Sequence, residues 1–179
     1  APKSNPAPNS LDEIDPANTL WQRDLAISLN DIGDLHLRAA HPGAAMAAYQ
    51  QSLEIARRLV AIDPDRAEWR RDVAIGLNKI GDLHRRAGEP DIALGLYDEA
   101  LQIARQLAAI DPGNTEWQRD IAIGLERVGN LQSQIGDMAA AEEALVLSLQ
   151  IRRQLAGVDP DNLQWQYDLV IGLDHIGDL

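Results

Sequence analysis

The chain has 179 residues, with 16 Lys and Arg against 28 Asp and Glu, a formal net charge of −12, and no cysteine. That length fits one domain able to bury a sizeable core, while 4% aromatics and no Phe leave Ala, Leu and Ile to fill it and argue against a β-sandwich or barrel. The acidic balance would repel a phosphate backbone, which excludes nucleic acid and anionic membranes as expected partners, and the missing thiols exclude a disulfide framework, a thiolate zinc site and a cysteine nucleophile.

Residues 1–10 hold three prolines and two asparagines and read as a linker or disordered leader. The start at Ala1 without Met suggests an excised or processed piece, and a signal peptide's basic and apolar regions are missing. No apolar run approaches the roughly 20 residues that span a bilayer, so a cytoplasmic location is expected.

From residue 11 onward the chain repeats itself. Trp21, Trp69, Trp117 and Trp165 are spaced by 48, as are Asp15-Pro16, Asp63-Pro64, Asp111-Pro112 and Asp159-Pro160, and Gly33, Gly81, Gly129 and Gly177. Three ladders in phase define repeats 15–62, 63–110 and 111–158 and a partial repeat 159–179. Leu11 and Ile14 keep the phase ahead of the first repeat.

Each repeat predicts two helices. In the first, Trp21, Leu25, Leu29, Ile32, His36 and Ala39 recur at intervals of three and four, and so do Ala45, Tyr49, Ser52, Ala56 and Leu59 in the second. Breakers at 40–43, 87–90 and 135–137 separate the helices within a repeat, and Asp-Pro separates repeats. Asn18, Asn114 and Asn162 suit N-caps, with Asp65 substituting in the second repeat, where Arg66 stands. Helices of about 20 residues, about 30 Å long, cannot bury such stripes alone. Stacking hides them and predicts an all-α solenoid of antiparallel helix pairs, about three and a half repeats and seven long helices over 11–179.

Leu77, Ile80, Gly81, His84, Gly88, Ala93, Tyr97 and Ala100 resemble the pattern of the tetratricopeptide repeat. His84 stands where that family prefers an aromatic, and the third repeat has Leu145 and Ser148 at the last two places. The family's period is about 34, so each repeat here is longer, and the sequence is similar to the long Trp-Gln-Arg-Asp arrays of bacterial multidomain proteins, which adjoin signalling or protease-like effector domains. The resemblance implies a right-handed superhelix whose first helices line a concave groove. The groove positions map to Asn30, Asp34 and Arg38; Asn78, Asp82 and Arg86; Glu126, Asn130 and Gln134; and Asp174 and Asp178. Such amide and carboxylate columns would hydrogen-bond an extended peptide and attract Lys or Arg on it. The family's clamp for acidic peptide termini is not expected, because Lys79 is the only Lys in the repeat region and stands outside these columns.

The remaining polar residues read as structural. Antiparallel helices around each Asp-Pro turn would set Arg57 opposite Asp72, Arg105 opposite Asp120 and Arg153 opposite Asp168 as ion pairs. The tryptophans head apolar stripes and read as core. His36 and His84 are in phase, His41 and His175 are not, and no i, i+4 pair suggests a metal site. No phosphate loop, catalytic triad or cofactor motif is present, so no enzyme is expected. A non-catalytic interaction scaffold is the leading expectation. An architectural element that self-associates through the open stripe of Trp165, Leu169, Leu173 and Ile176 is the alternative.

Overall fold

The computed structural model describes residues 18–177. The leader, Leu11, Ile14, Asp15-Pro16 and groove position Asp178 lie outside the described residues. Within them all regular structure is helical: α1 Thr19–Arg38, α2 Pro42–Ile62, α3 Ala67–Arg86, α4 Pro90–Ile110, α5 Thr115–Ile135, α6 Met138–Val158 and α7 Leu163–Gly177.

The ends of these helices follow from local chemistry. Asn18, Asn114 and Asn162 accept the backbone N–H of Trp21, Trp117 and Trp165, each at 3.2 Å, and so satisfy a donor that the first turn leaves open. Asp65 does not cap α3; its own N–H donates to Asp63 Oδ1 at 3.3 Å, while the Arg66 guanidinium lies 4.7 Å from the Trp69 ring centre. The turns between repeats are alike, since Asp111 and Asp159 accept from the N–H two residues on, at 3.0 and 3.2 Å, as Asp63 does. Pro42 and Pro90 open α2 and α4, where a missing N–H costs nothing. Inside each repeat the turn needs a left-handed residue: Gly88 (φ 78°) and Gly136 (φ 89°) supply it, and Ala40 (φ 58°) holds the same place in the first repeat.

The chain forms two compact units that divide between Trp69 and Arg70. In the first, α1 packs on α2 around Ala26, Leu29, Ile55, Leu59 and Trp69, the Tyr49 ring covers Gly33, and the Ser52 hydroxyl donates to the Ala26 carbonyl at 2.7 Å. In the second, α4 packs on α5, α5 on α6 and α6 on α7, around a core that includes Tyr97, Leu101, Leu125 and Leu131. Ser148 repeats the Ser52 bond, donating to Ala122 at 2.7 Å. Tyr97 covers Gly81 and Leu145 covers Gly129, so the glycine ladder of the sequence marks where a large side chain of the second helix sits on the backbone of the first. Serial packing of neighbouring helix pairs is the helical-repeat solenoid class.

Two expectations are corrected. Asp120 is held by Arg71 (Nε–Oδ2 2.5 Å, Nη2–Oδ1 3.1 Å), and Asp168 by Arg119 with the same two distances, so the carboxylates pair with the preceding repeat's first helix. Arg105 and Arg153 are exposed, and Arg105 acts electrostatically on Asp98, lowering its pKa against the larger effect of burial. Equal distance from a turn sets height along two helices; rotation about each axis sets the face, and Arg105 and Arg153 point outward. The third expected pair, Arg57 with Asp72, straddles the two units. Among the tryptophans, Trp69 is core and Trp117 and Trp165 are half-buried, but Trp21 is 57% exposed.

Candidate functional site

The first helices of the second unit bring four of the expected groove residues together. Asp82 of α3 and Glu126, Asn130 and Gln134 of α5 line a pocket of about 510 Å³. Spacing of four along α5 keeps its three on one face. Arg86 and Asp174 are exposed and outside this pocket, and Asn78 Oδ1 is buried without a hydrogen-bond partner. In the first unit Asp34 accepts the Tyr49 hydroxyl at 2.5 Å, Asn30 Oδ1 is buried without a partner, and Arg38 is exposed in the last turn of α1.

The two carboxylates of the pocket are already engaged. Asp82 accepts the Tyr97 hydroxyl at 2.6 Å and Arg127 Nε and Nη2 at 3.3 and 3.2 Å. Burial, and then the bond to Asp82, push the Tyr97 hydroxyl far above its ordinary pKa, while Arg85 acts on it in the opposite sense, so Tyr97 is a fixed donor. Glu126 is paired with Arg152 and lies 3.9 Å from His175 Nδ1. Arg152 is only 4% exposed and also donates to the Asp168 carbonyl at 2.6 Å. In contrast, none of the described hydrogen bonds uses the Asn130 or Gln134 amide.

The sequence reading missed Arg85, Tyr97, Arg127, Ser133, Leu145 and His175, which complete the lining. A signal for Arg127 existed. It stands one helical turn before Asn130, the equivalent of Asp82 one repeat on, so stacked first helices bring it back to Asp82. The third repeat carried another signal, because it replaces the Asn30–Ala56 and Asn78–Ala104 combinations with Glu126–Arg152. Near the turns, the His36 and His41 rings are 6.3 Å apart, and His84 Nδ1 lies 2.5 Å from Glu89 in the equivalent place. Among the described residues no group of three or more His, Asp or Glu could hold a metal ion, and no helix is long and apolar enough to cross a membrane.

Residues 25–65 and 73–111 match the family profile described as tetratricopeptide repeat. Over these two stretches the chain is similar to the tetratricopeptide repeat family. Both matched stretches begin one turn beyond the tryptophan and run through the second helix to the Asp-Pro turn, so the sequence between them, 66–72, is Arg66 and the first residues of α3. No curated protein matches the chain by sequence. Among solved structures it is similar to the N-terminal domain of stress-induced protein-1 from C. elegans, at 14% identity and a TM-score of 0.46, over 84% of this chain and 96% of that one. It is also similar to the C-terminal TPR-containing domain of a Plasmodium falciparum protein described as FK506-binding, at 14% identity and TM-score 0.46, over 91% and 95%. A third similar structure is a de novo designed helical repeat protein, at 10% identity and TM-score 0.35, over 89% and 80%.

Proposed function

We propose that this tetratricopeptide repeat-like chain is a non-catalytic scaffold that binds an extended peptide or protein segment across α3, α5 and α7 of the second unit. The observation that carries the reading is the pocket's division of labour. Its carboxylates are spent on Tyr97, Arg127 and Arg152, while the Asn130 and Gln134 amides remain to bond a peptide main chain. The pocket itself therefore suits polar groups. Attraction of basic segments comes from the surplus of −12 over the whole chain, which acts on encounter rather than on the bound contacts. Cytoplasmic residence and a place as the regulatory arm of a larger bacterial effector protein belong to the same reading.

An array of overlapping peptides, screened against the chain, supplies ligands. The Asn130→Ala, Gln134→Ala double variant should bind them about tenfold or more weakly, each lost bond being worth roughly 1 kcal/mol, with unchanged circular dichroism. Association should slow as salt is raised for basic peptides. Undiminished affinity in the double variant would place the ligand on another surface.

A further inference from the structure

The charges around the pocket do not cancel. Asp82 is held by Arg127 and Glu126 by Arg152, so each carboxylate has a guanidinium of its own. Arg85 of α3 lines the same pocket, half-buried, and none of the ion pairs among the described residues includes it. Its place in the sequence makes that unexpected. Arg85 stands three residues after Asp82, an interval at which side chains on one helix face meet. Asp82, however, accepts from the Tyr97 hydroxyl and from Arg127 on the next repeat's first helix. Arg85 is left beside the Tyr97 hydroxyl, on which it acts electrostatically, without a carboxylate partner among the described residues.

The arrangement belongs to the second and third repeats alone. Positions 37, 85 and 133 are one period apart and hold Leu37, Arg85 and Ser133. Ser133 faces the pocket from α5, half-buried, beside Asn130 and Gln134. Its hydroxyl lies 3.9 Å from the Met138 sulfur, a weak acceptor that a carboxylate oxygen would displace. In a chain with a net charge of −12, one uncompensated guanidinium with a hydroxyl and two amides around it makes a local site for an anion.

We infer that Arg85 seats the carboxylate of an Asp or Glu side chain inside the bound segment, with the Ser133 hydroxyl donating to the same group. The inference rests on the peptide-binding reading of this pocket and names the side chain that the pocket selects. The planar guanidinium fork matches a carboxylate with two parallel bonds. After the internal pairs are counted, Arg85 leaves one positive charge, which one carboxylate balances; a phosphorylated side chain, at about −1.5 to −2, exceeds it. The acidic surplus of the whole chain requires the rest of the segment to be neutral or basic. A single acidic anchor in an otherwise basic or amide-rich stretch is the ligand pattern. Arg85 on α3 and Ser133 on α5 place this subsite inside two whole repeats.

The test titrates the full chain into short fluorescein-labelled peptides of Ala, Asn and Lys, amidated at the C-terminus so that no terminal carboxylate takes part. A single Glu is walked through the positions, and matched sets carry Gln or phosphoserine there. At one or two adjacent positions Glu should bind about tenfold or more tightly than Gln, and at least as tightly as phosphoserine. Arg85→Gln should bring the Glu and Gln peptides to within about twofold of each other. Arg85→Glu is a second variant, expected to favour Lys over Glu at that position, with circular dichroism as the control for both. Equal binding of Glu and Gln peptides by the unaltered chain, or a preference for Glu that survives Arg85→Gln, would overturn the inference. If those peptides are still weakened by the Asn130→Ala, Gln134→Ala double variant, the pocket remains the binding site and only the anchor is wrong. If the double variant leaves binding unchanged, the reading of the pocket and the anchor fall together.

Discussion

Arg119 holds Asp168 through two parallel bonds, Nε to Oδ2 at 2.5 Å and Nη2 to Oδ1 at 3.1 Å, and Gln164 adds a third at 2.8 Å to Oδ1. The carboxylate is buried, so its partner cannot be replaced by water without cost. Arg119→Ala should lower stability by roughly 2 kcal/mol. Urea denaturation followed by circular dichroism measures it, and a loss below about 0.5 kcal/mol would mark the pair as an ordinary surface bridge.

The same carboxylate sets an acid dependence. Burial pushes Asp168 toward the neutral form, but the bonds from Arg119 and Gln164 outweigh it and hold the pKa below the ordinary Asp value. A lowered folded pKa means that the stabilisation is complete above the unfolded carboxylate pKa and is lost as pH falls through the folded one. Stability measured between about pH 5 and 2 should therefore decline, and decline less steeply in Arg119→Ala. Identical slopes would remove Asp168 from the account.

Arg152 is a buried cation that the other repeats lack. Alanine there would strand Glu126, at a cost of roughly 3 kcal/mol. Adding Glu126→Asn recreates the Asn78–Ala104 combination of the second repeat and should recover most of that loss. A double-mutant cycle on urea midpoints decides the matter: additive losses would show that the two side chains are not coupled.

Ala40 has φ 58° where Gly88 and Gly136 stand in the later repeats. An L residue is strained there, and Ala40→Gly should raise stability by about 0.5–1 kcal/mol despite the entropy glycine adds to the unfolded chain. The reverse exchange, Gly88→Ala, should lower it by a similar amount. Thermal melts of both variants check the pair, and a destabilised Ala40→Gly would contradict the strain argument.

Periodicity made the helices legible. The turn residues at 40–43, 87–90 and 135–137 and the Asn caps all lie where spacing alone placed them, because breakers and caps act locally. Partnerships between repeats were not legible in the same way. Asp82 reads in sequence as an open groove carboxylate, yet Tyr97 on α4 and Arg127 on α5 take its lone pairs. A heptad-like count gives the face of one helix, whereas the occupant of that face depends on how neighbouring helices are rotated, which no single-helix pattern encodes. For that reason Asn130 and Gln134, rather than Asp82, are the residues to alter when binding is tested.

The ties from Arg71 to Asp120 and from Arg119 to Asp168 cross from one hairpin to the next. A protease cut at the exposed Gly113 would thus sever the backbone between two helices that remain clasped on either side of the break, α4 packed on α5 and Arg71 still gripping Asp120. The halves of the second unit would travel as one particle after nicking, and the two pieces, expressed apart, would have the means to find each other in correct register.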